Sequence, residues 1–378
     1  MPINKKSAAG KSRTHSRPHS PPLYGAVDLG TNNCRLLVAK RAGDKFRVVN
    51  SHSQIVRLGE GLSATGELSE ASRQRAFDAL GTIRQKLKQL GVRHVRCIAT
   101  EACRKASNGP EFIRDVQTRT KLSFKIVSAK EEARLAAIGC HDLIEPDADL
   151  VMVLDIGGGS TEVAFIDLAD QPARDIKTLV NTMPISAWYS FPLGVVTLTE
   201  AFSHEPELDR FEAMHQHAKS VFSGWTKGQS FAERLQSDTA YMIGTSGTVT
   251  CLAGIRLGLQ KYRRDKVDGH WLTQSEAQET IHDFTRASLT ERASIPTVGE
   301  DRADLMLAGC AILDAAFAQW PSQRLRVADR GLREGLLLAM MHGTRKSRRR
   351  RGGKGRSRKP KVHENAPSPP TESGASTQ

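Results

Sequence analysis

Two short stretches place the same kinds of residue in the same order. "AVDLGTNNCRLLVA" (26–39) and "VLDIGGGSTEVAFI" (153–166) each run apolar, Asp, apolar, Gly, three small or polar residues, then a β-like run. A Gly-rich turn at a strand end lets backbone N–H groups converge on an anion, because no Cβ keeps the loop at a distance. The carboxylate beside it, Asp28 or Asp155, can hold a Mg²⁺ that neutralises the same anion. Thr31, Asn32 and Asn33 in one copy, and Gly157, Gly158, Gly159, Ser160 and Thr161 in the other, supply backbone and side-chain donors. One such turn alone is equally a plain hairpin. Two turns with the Asp in register argue for a clamp that holds a phosphate chain from both sides.

Hydrolysis also needs a group that activates water. "AKEEARLAA" (129–137) puts Glu131, Glu132 and Arg134 at the start of a helix. Acidic residues in a first turn also complement the helix dipole, so spacing alone leaves both roles open. The dipeptides His141–Asp142 and His282–Asp283 lack the further separated ligands of a metal-dependent HD phosphohydrolase. His215 and His217 fall on a polar helix. No GxxxxGK[ST] stretch is present, so this is not a P-loop enzyme.

The elements that must position these groups follow from periodicity and breakers. "LYGAVDLGTNNCRLLVAK" (23–40) reads as strand, tight loop, strand, and 46–58 continues in β character. A helix over 69–91 has Ser69 as N-cap and Gly91 as stop. A strand over 94–100, a helix near 109–120, a strand over 123–129 and a helix over 130–144 follow. The pattern then restarts: strand, Gly-rich loop and strand over 149–168, and a third strand over 176–185. Helices are expected near 194–202, 207–226, 247–258, 273–287, 300–319 and 330–342, with strands at 240–244 and 325–329. Asp28 and Asp155 lie 127 residues apart, so each copy is domain-sized. Strands mixed with helices in both copies argue for two similar α/β domains face to face.

The chain has 378 residues, long enough for two domains, and 39% hydrophobic content. Its net charge of +14 sits entirely in two tails: +5 in residues 1–22 and +9 in 344–378, which leaves the body neutral. Both tails read as disordered. The stretch 345–361 is expected to contact polyanions or RNA through counterion release, or merely to solubilise the chain. Six cysteines without a CxxC pair read as buried free thiols in a reducing cytoplasm. No apolar run is long enough to span a membrane, and the N-terminus lacks a secretory apolar core.

Eight ordered blocks across 23–342 resemble the exopolyphosphatase / guanosine pentaphosphate phosphohydrolase (Ppx/GppA) family, in a short two-domain form. They are "DLGTNNCRLLVA" (28–39), "ATEACRKASN" (99–108), "EEARL" (131–135), "DIGGGSTE" (155–162), "SFPLGVVTLTE" (190–200), "GTSGTVTCLA" (244–253), "DRADLMLAGCAIL" (301–313) and "DRGLREGLL" (329–337). The resemblance implies the actin, sugar-kinase and chaperone-ATPase fold (ribonuclease H-like), with an interdomain cleft. It implies domain I over 23–129 plus 329–343 and domain II over 130–328. It also implies Mg²⁺-dependent hydrolysis of a terminal phosphoanhydride.

In that family the second Glu of "EEAR" is the general base, here Glu132. Asp28 and Asp155 would then hold the metal, with help from Glu162. The two loops would cradle phosphate, and Arg35 and Arg104 would meet the transferred phosphoryl group. Three departures stand out. Thr197 replaces a frequent Arg, "GTSGT" (244–248) has Thr-Ser where relatives often have Gly, and longer relatives continue into helical domains that bind long polyphosphate and dimerise. Here the 345–361 tail is the expected substitute grip, and a homodimer is left open. An exopolyphosphatase is the leading expectation and a guanosine pentaphosphate phosphohydrolase the rival. A non-catalytic polyanion binder and a nucleotide-dependent kinase of the same fold are less favoured readings of the same residues.

Overall fold

Each Asp-Gly stretch folds into the central hairpin of its own sheet. The computed structural model describes residues 21–170 and 175–343. The expectations for the N-terminal tail up to residue 20 and for the tail from 344 onward, with its 345–361 contact, lie outside those residues. The first sheet contains β1 (Leu23–Leu29), β2 (Asn33–Ala42), β3 (Lys45–Ile55), β4 (His94–Ala99) and β5 (Phe124–Ile126), in the order β3-β2-β1-β4-β5. The second contains β6 (Leu150–Ile156), β7 (Thr161–Asp167), β8 (Ile185–Phe191), β9 (Ala240–Thr245), β10 (Trp271–Thr273) and β11 (Arg324–Ala328), in the order β10-β11-β9-β6-β7-β8.

The duplication extends to the hydrogen bonds. In both sheets three antiparallel strands come first and a parallel strand then pairs with the first of them. The turn of the first hairpin is closed by Gly30 N–H donating to the Asn33 carbonyl at 2.9 Å. Gly157 N–H donates to the Ser160 carbonyl at 2.8 Å in the second. Asp28 faces Arg35 across its hairpin, and Asp155 faces Glu162 across the other. The α/β expectation of two similar halves therefore holds at the level of register.

Several of the helices start at polar side-chain caps, among them Ser69, Ser128, Asp175 and Thr273. α1 (Glu70–Gln89) begins at Ser69, whose hydroxyl accepts from Ser72 N–H, and Gly91 beyond its end has φ 66°. α2 (Glu101–Lys105) and α3 (Gly109–Thr120) follow β4, and α4 (Ala129–Gly139) begins at Ser128. The segment expected as a third strand over 176–185 is instead the helix α5 (Ile176–Thr182). Asp175 caps it, its carboxylate accepting from the N–H groups of Lys177 and Thr178 at 3.0 and 3.1 Å. The true third strand is β8, whose alternating "ISAWYSF" begins where the expected one ended. The remaining framework helices are α6 (Val195–Ala201), α7 (Glu207–Ser223), α8 (Gly247–Arg256), α9 (Gln274–Arg286), α10 (Ala303–Gln319) and α11 (Leu332–His342).

Separate cores support the sheets. Beside the second sheet, Phe165, Phe191, Phe222, Trp225 and Trp320 interlock, and the Trp320 indole donates to the Gly228 carbonyl at 2.9 Å. Phe77, Leu80, Ile83 and Phe112 pack under the first. The chain's last described helix, α11, shares a small core with the first sheet, where Leu336 and Leu337 meet Ala26, Leu37 and Leu135. It crosses α4 at two glycines: a Cβ on Gly139 would overlap the Gly331 carbonyl, and one on Gly335 the Leu135 carbonyl. All six cysteines are buried free thiols, as expected. Among the described residues no helix is long and apolar enough to cross a membrane.

Gly335→Ala should therefore destabilise the fold by roughly 1–3 kcal/mol through overpacking, although Ala favours helix by about 1 kcal/mol. Urea denaturation reads the change, and a stabilised variant would contradict the crossing.

Candidate active site

A cavity of about 430 Å³ lies where the two hairpin turns meet. It gathers all but three of the fourteen residues singled out in the sequence. Asp28, Thr31, Asn32, Asn33 and Arg35 line it from the first hairpin, Asp155, Gly157, Gly158, Gly159 and Ser160 from the second, and Glu132 from α4. Arg104, Thr161 and Glu162 stand behind the wall.

The glycine run serves close approach and not an unusual φ. None of Gly157, Gly158 and Gly159 has a left-handed backbone. A Cβ on Gly158 would lie 3.0 Å from Thr31 Cβ, and one on Gly159 would lie 2.9 Å from Thr31 Oγ1. The glycines thus let one loop rest directly on the other. Both loops have their carbonyls pinned from behind. Val195 N–H at the start of α6 donates to the Gly157 carbonyl at 2.9 Å, and Val196 N–H to that of Gly158 at 2.8 Å. On the other loop, Gly59 N–H donates to the Thr31 carbonyl, and Val56 and Arg57 N–H to that of Asn32. In a trans peptide the N–H points opposite to its carbonyl. The N–H groups of Asn32, Gly158 and Gly159 therefore turn away from those donors, and they find no acceptor among the described residues. That is the requirement for an anion cradle.

The helix resolves the ambiguity of the adjacent glutamates. Glu131 N–H donates to the Ser128 cap, and its carboxylate accepts a bidentate pair from Arg134 at 2.8 Å. One residue further round, Glu132 is only 8% exposed and meets the cavity. Burial, then the Glu162 carboxylate, hold Glu132 well above the usual carboxylate range, against the pull of Arg104. Arg104 Nη1 donates to Glu132 Oε2 at 3.0 Å and to the Val127 carbonyl at 2.9 Å, while Nη2 is paired with Glu101. Both Nη atoms of its guanidinium thus bind protein acceptors.

Glu162 is likewise engaged: Oε1 accepts from Ser160 at 2.8 Å and from Ser190 at 2.6 Å. Thr161 Oγ1 donates to the Leu193 carbonyl at 2.6 Å. Thr197 serves as a cap for α6, its hydroxyl accepting from Gly194 N–H at 3.0 Å.

The acidic residues fit a divalent cation. Asp28 Oδ1 is buried without a partner, and burial raises the Asp28 carboxyl. Burial and the neighbouring Glu162 push Asp155 up to about 8. No group of three His, Cys, Asp or Glu among the described residues converges on one point. A pair of carboxylates that leaves the rest of the coordination shell to water and substrate is the pattern Mg²⁺ takes.

The opposite wall was not legible in the sequence. Ser246, Thr248 and Tyr262 line it, with Arg302 and Met306 around α10 and Asp329, Arg330 and Arg333 before and in α11. Their signals were charges within "DRADLM" and "DRGLREG" and the strand-to-helix turn "GTSGT". Ser246 has φ 135° and ψ 177°, a region that is essentially glycine's, and its buried Oγ is unpartnered.

A family model described as the Ppx/GppA phosphatase family matches residues 37–344, and the chain belongs to that family. It is 27% identical over 330 residues to the guanosine-5'-triphosphate,3'-diphosphate pyrophosphatase of Aeromonas salmonicida (strain A449). That match covers 85% of this chain and 60% of the relative, so the chain spans less than two thirds of its length. The crystal structure of the Aquifex aeolicus Ppx/GppA family member superposes with a TM-score of 0.68 at 25% identity, over 85% of this chain and 97% of that one. An exopolyphosphatase from Cytophaga hutchinsonii ATCC 33406 superposes with a TM-score of 0.74 at 23% identity, covering 85% and 98% of the two chains. The protein is thus a Ppx/GppA-family member whose α/β fold, with its two mixed sheets, is shared with the solved structures of that family.

Two outcomes follow. A carboxyl raised in the folded state stabilises the fold below its unfolded value of 3.8 and loses that contribution as pH rises through about 8. In metal-free buffer Asp155→Asn should therefore gain on the parent across that range; a pH-independent gap in urea denaturation would count against it. Ser246→Gly should raise stability by about 1 kcal/mol as strain relief exceeds added chain entropy, which thermal unfolding can check.

Proposed function

We propose that this protein is an exopolyphosphatase that releases terminal phosphate from inorganic polyphosphate in the presence of Mg²⁺. One observation carries the reading: both Asp-Gly loops and the buried Glu132 line one cavity. The terminal phosphate would sit among the free N–H groups of Asn32, Gly158 and Gly159, with Thr31 and Asn33 adding side-chain donors, while the Ser160 hydroxyl is held by Glu162. Glu132 would orient the attacking water and take its proton. A carboxyl raised towards the working pH suits a general base. Arg35 lies in the cavity wall, where a fixed positive charge can meet charge developing on the transferred phosphoryl group. Asp28 and Asp155 would hold the Mg²⁺, with Glu162 behind them, and the bound ion would neutralise phosphate oxygens. The structural similarity to an exopolyphosphatase supports this substrate. We place the reaction in the cytoplasm, because six buried free thiols suit a reducing compartment.

A second substrate, guanosine pentaphosphate, has its own support. Tyr262, Leu305 and Met306 are among the cavity-lining residues, apolar and aromatic groups that a linear polyphosphate does not need and that suit a purine. The Aeromonas relative named for that chemistry points the same way.

Phosphate release by the parent and by Glu132→Gln, with Mg²⁺ and either substrate, tests both. Loss of the base should slow release ~10²–10⁴-fold. Faster release from polyphosphate supports the first reading and faster release from the nucleotide the second. Equal rates in parent and variant would remove Glu132 as base, and release from neither substrate would favour a binder.

A further inference from the structure

We propose that Glu101 is a positioning residue for Glu132, acting through Arg104. The inference rests on Glu132 being the base. Glu101 opens the five-residue helix α2, lines the cavity and is only 8% exposed. A carboxylate in the wall of an anion-binding cavity opposes the substrate's charge, and burying it also removes water. Two cations offset it: Arg104 Nη2 is paired with it, and Lys105 Nζ lies 2.8 Å from Oε1.

The arrangement has a direction. Lys105 is half exposed and holds Glu101 from the solvent side. Glu101 holds one arm of Arg104, and the other arm reaches Glu132 Oε2 at 3.0 Å and the Val127 carbonyl at 2.9 Å. A guanidinium is a rigid planar fork, so fixing one nitrogen fixes the direction in which the other delivers its hydrogen bond. Val127 lies one residue before the Ser128 cap of α4, so Arg104 also braces the start of the helix that carries Glu132.

Glu101 touches the phosphate loop as well. A Cβ on Gly159 would sit 3.1 Å from Glu101 Cγ. The same side chain thus packs on the loop that would hold the phosphate and aims the group that would activate the water. The distance between cradle and base is thereby set through Glu101 and Arg104, neither of which touches the reacting atoms. Arg104, expected from the resemblance to meet the phosphoryl group, has both of its Nη atoms engaged by protein acceptors.

Steady-state kinetics on the full chain with Mg²⁺ and polyphosphate, in single variants and in a Glu132→Gln background, tests the proposal. Glu101→Ala should lower kcat roughly ten- to a hundred-fold without raising KM, as misplacement of a catalytic group does. Glu101→Gln keeps an acceptor for Arg104 and should recover much of the loss. In the Glu132→Gln background, Glu101→Ala should change the residual rate less than about twofold, because both act through one group. A raised KM at unchanged kcat, an unchanged kcat, or full additivity with Glu132→Gln would each overturn the proposal. Circular dichroism and melting of each variant separate these outcomes from misfolding, with Glu101→Gln as the fold-preserving variant. If Glu132→Gln alone keeps the parent rate, the base assignment fails, and that result is distinct from a failure of Glu101.

Discussion

A carboxylate held away from water is unfavourable, and Asp28, Glu132, Asp155 and Glu162 are all held so around one cavity. Each is raised by burial, and Glu162 raises both Glu132 and Asp155 further. An anion would be repelled by such a wall unless other groups intervened. The structure supplies some of them. Arg35 lies opposite Asp28 in the first hairpin, Arg104 binds Glu132, and two serine hydroxyls donate to Glu162. The excess carboxylate around Asp28 and Asp155 is what a divalent cation would complete. Concentrated buried acid is thus both the strain in this site and the reason for its chemistry.

The geometry that brings those groups together depends on missing Cβ atoms. Gly158 and Gly159 let one loop lie on Thr31 of the other, and Gly194 lets α6 lie on Gly158. Gly139 and Gly335 let α4 and α11 cross in backbone contact. That crossing ties α4, which carries Glu132, to α11, which carries Arg333 into the opposite wall. Few other residues would permit these approaches, because protein interiors do not absorb extra volume easily. The carbonyls pinned by Val195, Val196, Val56, Arg57 and Gly59 then decide which polar groups remain for a ligand.

Much of this was legible in the sequence, and the remainder was not for physical reasons. The hairpins were legible because Asp, Gly and a β run recur in register. The choice between Glu131 and Glu132 was not, since both fit a first turn; it took the Arg134 pair to turn Glu131 outward. Asp175 was a cap signal outweighed by the β-branched "IKTLVNT", and a helix was read as a strand. Arg302, Arg330 and Arg333 meet the cavity from segments more than 130 residues beyond either loop, a closeness no local pattern encodes. Arg104, expected from the resemblance to meet a phosphoryl group, also donates to Glu132 and the Val127 carbonyl and pairs with Glu101, engagements that no local pattern shows.

The central claim is that both loops hold one phosphate chain. Isothermal titration of tripolyphosphate with Mg²⁺ into the Glu132→Gln protein, alone and with Asn33→Ala in one loop or Gly158→Pro, which removes the free N–H, in the other, measures it most directly. A lost hydrogen bond to a charged group is worth about 1.5–3 kcal/mol, so each loop substitution should weaken binding by roughly ten-fold or more. An affinity that depends on only one of the two loops would contradict the account.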